Sequence, residues 1–483
     1  MARYDYNLIV IGGGSAGLIA ALIGATVRAK VLLIERDRMG GDCLNTGCVP
    51  SKALIRAARA AHEVRTAGRF GIHAGEPAVD FPAVMARVRD VIASIEPKDS
   101  MARYRSLGVD CLAGDAVLED GHHVRVRTAE GERRISARRI VLATGAEPVV
   151  PPVPGLREMK PLTSESVWSL ESLPARLLVM GGGPIGCELA QSFARLGSAV
   201  TLIDMEDRLL PREDPETSRL LEAVFQREGI DVRLAHRAVD VTAAGSGHGG
   251  VLGAETGSGR VEIPFDGILV AVGRRARRDA GLEAAGIAQN PDGTIAVDRY
   301  LRTSLPTVLA CGDAAGPYQF THMASHQAWF AAVNGLFGRL WKFPVNYAVV
   351  PWATYTDPEV ARVGLSETDA AAQGVSVEVV RYGLDDLDRA LTEGQAEGWV
   401  KVLVKPGTDR ILGAQVVGAE AGELIGEFVL AMTHGLGLKK LMGTIHVYPT
   451  RMEAVKLTAG AWRRAHAPEG VLRWAGRVFD YLR

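Results

Sequence analysis

Two cysteines five positions apart, Cys43 and Cys48, sit in the run Gly40-Gly41-Asp42-Cys43-Leu44-Asn45-Thr46-Gly47-Cys48-Val49-Pro50-Ser51-Lys52. Cysteines at this spacing on one short turn and helix can meet as a disulfide. A helix N-terminus lowers a thiol pKa, so the pair can alternate between disulfide and thiolate. Two buried cysteines or half a zinc site would be the blander readings. No second ligand pair of comparable spacing accompanies them, and the glycine-rich setting points to redox chemistry.

Such a pair needs a source of electrons, and the residues ahead of it provide for one. Leu8 to Ile11 reads as a buried parallel strand. It is followed by Gly12, Gly14 and Gly17 in the G-x-G-x-x-G spacing at the start of an alanine-rich helix, and Val31 to Ile34 gives a second strand ending at Glu35. Glycines there let the backbone approach a pyrophosphate at the helix N-terminus, and the acid can accept from a ribose hydroxyl. The device recurs. Leu177 to Met180 precedes Gly181, Gly183 and Gly186 in the same spacing, and Val200 to Ile203 ends at Asp204, as far beyond Gly181 as Glu35 lies beyond Gly12. Two such units predict two dinucleotide sites. Asp204 would accept from a free 2′-hydroxyl and repel a 2′-phosphate, which favours NADH over NADPH. Arg208 and the cluster Arg274, Arg275, Arg277 and Arg278 keep a phosphate-binding guanidinium in view.

The ordered set resembles the pyridine nucleotide-disulfide oxidoreductases, the group of lipoamide dehydrogenase, glutathione reductase and mercuric reductase, over nearly the whole chain. The resemblance implies FAD in the first unit and NAD(P)H in the second. It implies that Thr144 and Gly145, after the strand 139–142, and Asp313, after the strand 307–310, contact FAD. It also makes Lys52 and Glu188 an ion pair beside the flavin, Cys48 the charge-transfer thiol and Cys43 the interchange thiol. The expected fold class is α/β, with two Rossmann-like, doubly wound nucleotide-binding domains and a C-terminal α+β dimerisation domain. Pro148, Pro151, Pro152 and Pro154 with Gly155 mark a stiff crossover. FAD-binding segments are therefore expected at 1–150 and 271–345, re-entered through Gly273, with an NAD(P)-binding domain at 151–270 and a dimerisation domain at 346–483. Alternating runs at 399–404 and 411–417 predict antiparallel strands in the last. In the family that region forms a homodimer and completes the partner's site.

The departure from the pattern is Tyr448. It stands before Pro449-Thr450, where lipoamide dehydrogenase and glutathione reductase carry a histidine oriented by a glutamate that Glu453 matches. A phenol titrating near ~10 is a poor general base at neutral pH. His446 stays open between a substitute base and a packing residue. Mercuric reductase also carries tyrosine here, and the stretches 384–391 and 455–459 are similar to it. The sequence nevertheless shows no vicinal cysteines like those at that enzyme's end, is expected to go without the N-terminal metal-binding domain often found there, and has Asp204 where an NADPH enzyme usually has a basic residue. The expected function is a flavin-dependent NAD(P)H oxidoreductase that passes electrons through Cys43 and Cys48 to a thiol-bound metal or small disulfide. Dihydrolipoyl dehydrogenase is the alternative, and a slowly turning redox-sensing flavoprotein the alternative of another class.

Composition narrows the partners. Lys and Arg total 55 against 56 Asp and Glu, a net charge of −1 that predicts no broad affinity for nucleic acid. Five cysteines make no structural disulfide framework, and no secretory h-region opens the sequence, so a reducing, cytoplasmic setting is expected. No run approaches the ~18 apolar residues of a membrane span. Residues 471–482 form an amphipathic tail, expected to pack on its own dimer, with a membrane surface as the other possibility.

Overall fold

The computed structural model describes residues 3–244, 249–278 and 280–483. It is a mixed α/β fold that divides into two compact units, one of residues 1–209 with 222–346 and the other of 210–221 with 347–483.

In the first unit, the strands Val109–Ala113, Val31–Glu35, Tyr6–Ile11 and Gly131–Leu142 lie parallel in that order, with Val308–Ala310 also parallel to Gly131–Leu142. Leu8, Ile9 and Val10 are wholly buried, as a strand covered on both faces requires. Leu8, Val10 and Leu33 pack under the helices Ser15–Thr26 and Thr321–Phe337. Ile9, Ile11 and Leu32 face a different cover, made by the antiparallel strands Asp115–Leu118 and His123–Thr128 with Leu282, Ile287 and Ile295. The second nucleotide fold has a parallel sheet in the order Asp231–Arg233, Ala199–Ile203, Arg176–Met180, Gly267–Val270, Leu162–Thr163. The short pairing of Arg274–Ala276 with Ala146–Pro148 joins the outgoing and returning chain.

In the second unit, five antiparallel strands run in the order Pro351–Thr354, Glu359–Gly364, Ile411–Gly418, Trp399–Val404, Glu378–Gly383. Val400, Val402 and Val416 pack with Phe428 of helix Ala421–Thr433 and Trp462 of helix Glu453–Ala465. Segment 210–221 lies with this unit although its sequence falls inside 151–270. The cause is polar. Glu213 pairs with Arg362 at 3.3 Å, and Thr217 Oγ1 donates to Gln415 Oε1 at 3.0 Å. Among the described residues no helix is long and apolar enough to cross a membrane.

Candidate active site: two nucleotide cradles and a thiol pair

The first cradle is built from backbone that tolerates no side chain. A Cβ on Gly17 would stand 1.7 Å from Gly12 O, and one on Gly12, at φ +105, would stand 2.2 Å from Ala143 O. Glycine at both positions lets the helix Ser15–Thr26 start directly off the strand end. Glu35 fixes the loop between them. Its Oε2 accepts from Gly13 N at 2.5 Å and its Oε1 from Asp37 N at 2.8 Å. Gly14 caps the helix with extended backbone.

The second cradle repeats this geometry. A Cβ on Gly186 would meet Gly181 O at 1.8 Å, and one on Gly181 would meet Ala271 O at 2.5 Å. Asp204 Oδ2 accepts from Gly182 N and Oδ1 from Glu206 N at 2.9 Å. Gly183 and Gly273 have open space where a Cβ would be, with room for a ligand to approach the backbone. Three of the arginines that the sequence offers for a phosphate are paired with carboxylates. Arg274 pairs with Asp42 at 2.9 Å, Arg275 with Glu147 at 2.7 Å, and Arg277 with Glu165 at 2.9 Å.

Two groups test whether the first cradle fits a flavin dinucleotide. Thr144 Oγ1 is buried with no hydrogen-bond partner, beside Gly145, whose Cβ position is empty. Asp313, in the turn Gly312–Ala314, has its carboxyl pushed up by burial to about 6, against the pull of Arg274. Gln327 braces that turn, accepting from Gly312 N at 2.7 Å and donating to Gly316 O at 2.6 Å. A buried hydroxyl without a partner and a desolvated carboxyl are both groups that a polyhydroxyl chain can satisfy. The residues therefore fit the group.

Cys43 lies in the short helix Gly41–Asn45, and Cys48 is the first residue of helix Cys48–Thr66. The loop between them is pinned. Trp168 Nε1 donates to Thr46 O at 2.7 Å, Thr46 Oγ1 donates to Asp42 Oδ1 at 2.5 Å, and Arg274 holds Asp42. Both thiols are free, and they hydrogen-bond to each other. That bond from Cys43 chiefly lowers Cys48, to about 6 against the cost of burial, helped by Thr321 and the charge of Lys52. Cys43 is pushed far up by the same bond. Lys52 Nζ pairs with Glu188 Oε2 at 2.9 Å, where helix Cys48–Thr66 packs on helix Pro184–Leu196. Cys187 and Cys311 are buried with thiols pushed up, so neither competes as a thiolate.

Thr321 was not singled out in the sequence. It opens helix Thr321–Phe337, and its Oγ1 lies 3.2 Å from Cys48 Sγ. The only local signal was its place ahead of an apolar helix. Losing a hydrogen bond to a charged group costs ~1.5–3 kcal/mol, or roughly one to two pKa units. Thr321→Val is therefore expected to raise the midpoint of Cys48 alkylation by iodoacetamide, followed against pH by peptide mass spectrometry, by about one unit or more. An unmoved midpoint would show that Thr321 does not hold the thiolate.

In the second unit, the exposed Tyr448 donates its hydroxyl to Asp388 Oδ2 at 2.9 Å. This bond, with the charges of Asp388 and Glu453, holds the phenol above its usual pKa. Glu453 opens helix Glu453–Ala465 and accepts from Thr450 N at 3.3 Å. His446 packs. Its Nε2 faces Glu427 at 3.0 Å and its Nδ1 faces Thr444 O at 3.2 Å, so neither nitrogen is offered to an incoming thiol. Asp388 also went unremarked in the sequence, although it lies in the stretch 384–391. Among the described residues no group of three or more His, Cys, Asp or Glu could hold a metal ion.

Comparison with known proteins gives a consistent picture. Residues 6–328 match the family model for pyridine nucleotide-disulphide oxidoreductases, and residues 350–459 match the model for their dimerisation domain. The mercuric reductase of Streptomyces lividans is 36% identical over 95% of this chain and 96% of its own length. The dihydrolipoyl dehydrogenase of Thermus scotoductus is 39% identical over 94% of this chain and 97% of its own. Among solved structures, the Cu(II) complex of the HOCl-induced flavoprotein disulfide reductase RclA from Escherichia coli covers 95% of this chain and 99% of its own, with a TM-score of 0.84 and 28% identity. LpdA from Mycobacterium tuberculosis covers 95% of this chain and 100% of its own, with a TM-score of 0.86 and 29% identity.

Proposed function

The chain belongs to the pyridine nucleotide-disulphide oxidoreductases, FAD-dependent enzymes that use NAD(P)H and a redox-active disulfide, and on that premise we propose that it is an NADH-dependent reductase of a thiol-bound metal cation. Bound FAD supplies the two-electron relay between nicotinamide and disulfide. Gly12, Gly14, Gly17, Glu35, Thr144, Gly145 and Asp313 would hold FAD, and Gly181, Gly183, Gly186, Asp204 and Gly273 the nicotinamide nucleotide. Asp204 repels a 2′-phosphate, and three of the five arginines in view for one are paired with carboxylates. These features favour NADH. The working form would be a cytoplasmic homodimer in which Tyr448 and Glu453 shape the partner's acceptor pocket.

When the disulfide takes two electrons and one proton, Cys48 leaves as the thiolate, stabilised by Thr321 and Lys52, and Cys43 keeps the proton. The two acceptor classes then make different demands. Reducing a disulfide requires Cys43 to be deprotonated for attack and the leaving thiolate to be protonated, work for a positioned base. Tyr448 cannot supply it, since its hydroxyl is donated to Asp388 and its pKa is raised. This is the observation that carries the reading. Transfer of a metal cation from carrier thiolates forms two bonds to the enzyme's sulfurs and breaks two to the carriers. Of the two displaced carrier thiolates, one takes up the single proton that Cys43 holds, so no enzyme base is required, and soft sulfur suits a soft metal.

Dihydrolipoyl dehydrogenase is the second reading, favoured by the comparable identity to such relatives. Anaerobic reduction with NADH, followed by stopped-flow reoxidation with thiol-bound Hg(II) or with lipoamide, separates the two. Fast reoxidation by the metal and slow reoxidation by lipoamide is expected at pH 7. Tyr448→His should raise the lipoamide rate about a hundredfold, the scale of a positioned acid-base. Fast lipoamide reoxidation in the native enzyme would overturn the metal reading, and slow reaction with both would leave a redox sensor.

A further inference from the structure

Helix Glu469–Leu482 buries none of its residues in its own unit. At 100° per residue, Val471, Leu472, Trp474, Val478, Phe479 and Leu482 fall within one half of its circumference. The other half carries Arg473, Arg477 and Arg483 with Glu469 and Asp480, and Arg473 pairs with Glu469 at 3.1 Å. Trp474 is 65% exposed and Phe479 69%. The face is about 21 Å long, and water covers it in the single chain.

Two observations identify what covers it. The match to the dimerisation domain ends at residue 459, so this helix lies beyond the matched segment. The charge is also local. Residues 463–483 hold five arginines, Arg463 and Arg464 included, against two acids, in a chain whose net charge is −1. Pairing with the same helix of a second copy would bring like-charged segments together in a self-complementary contact. An anionic lipid surface neutralises the arginines and receives the aromatic and aliphatic side chains at the headgroup boundary. We propose that helix Glu469–Leu482 lies in the plane of an anionic bilayer and holds the enzyme at a membrane surface. This inference is independent of the acceptor.

The test is co-sedimentation of the FAD-loaded enzyme with vesicles of phosphatidylglycerol and phosphatidylcholine, alongside vesicles of phosphatidylcholine alone. Binding is expected to the anionic vesicles at 0.1 M salt, weakened about tenfold or more at 0.5 M as screening shortens the reach of the arginines. Trp474→Glu/Phe479→Glu should abolish it while the molar mass from light scattering stays unchanged. No sedimentation of the native enzyme with anionic vesicles would overturn the proposal. So would a fall in molar mass of the double variant, because the face would then be a subunit contact.

Discussion

Cys43→Ser is expected to leave the enzyme reducible by NADH while acceptor turnover falls about a thousandfold or more, the scale of losing a nucleophile that acts as part of a unit. The variant keeps both nucleotide cradles, the Lys52–Glu188 pair and the Trp168 and Arg274 contacts that pin the cysteine loop. What it loses is the second sulfur, so no disulfide can form and two electrons cannot leave as a thiolate pair. A serine hydroxyl can still donate to Cys48, so the Cys48 thiolate should persist. Cys43→Ala removes the donor as well. Its Cys48 should titrate higher, because the bond from Cys43 is the largest influence lowering that thiol. Rapid-scan spectroscopy with NADH, paired with steady-state assays using the metal and lipoamide acceptors, checks the first expectation. Undiminished acceptor turnover in Cys43→Ser would mean that electrons bypass the dithiol, and the relay would be wrong.

What the sequence disclosed depends on how local the constraint is. The glycine spacings were legible because close approach is imposed within a few residues, as between Gly12 and Gly17, and a larger side chain at either is excluded by backbone. The acids Glu35 and Asp204 end their strands and reach back to the adjacent glycine loops, again a short-range relation. Pairings between distant segments were not legible. Thr321 meets Cys48 from far along the chain, and Asp388 reaches Tyr448 only after the sheet and helices of its unit have folded. The arginines at 274–277 read as open to a 2′-phosphate, yet carboxylates at Asp42, Glu147 and Glu165 occupy them. Charge type was visible and its partner was not. Lys401 is a sharper case. Within Trp399–Val404 an alternating pattern would send it to solvent, whereas it is 1% exposed because three carboxylates converge on it.

That cluster carries the second large effect. Lys401 Nζ lies 2.6 Å from Asp214, 2.7 Å from Glu216 and 2.8 Å from Glu367. Burial alone would lower the lysine's pKa, but the hydrogen bonds it donates to the three carboxylates outweigh that and raise it. For Asp214, burial pushes upward, and Lys401 with Thr368 brings it below its ordinary value. The signs fix the pH dependence. A depressed Asp214 contributes stability above the unfolded carboxylate pKa of ~3.9, and that contribution is lost as pH falls through the folded value. A raised Lys401 contributes below its unfolded pKa of ~10.4, and that is lost as pH rises through the folded value. Near neutrality both contributions are present. Lys401→Met keeps the bulk and removes the cation, stranding Asp214, which is 3% exposed, among like charges. The expected cost is about 3–5 kcal/mol, or a fall of about 10 °C in the melting temperature of this unit. Because the cost comes from unpaired carboxylates, it should shrink between pH 7 and pH 5 as the stranded group takes a proton, and Asp214→Asn should restore part of it in the double variant. Thermal unfolding of the FAD-saturated enzyme at the two pH values checks this. A deficit under ~1 kcal/mol, the scale of an exposed ion pair, or one insensitive to pH, would show that segment 210–221 is held by packing rather than by the lysine.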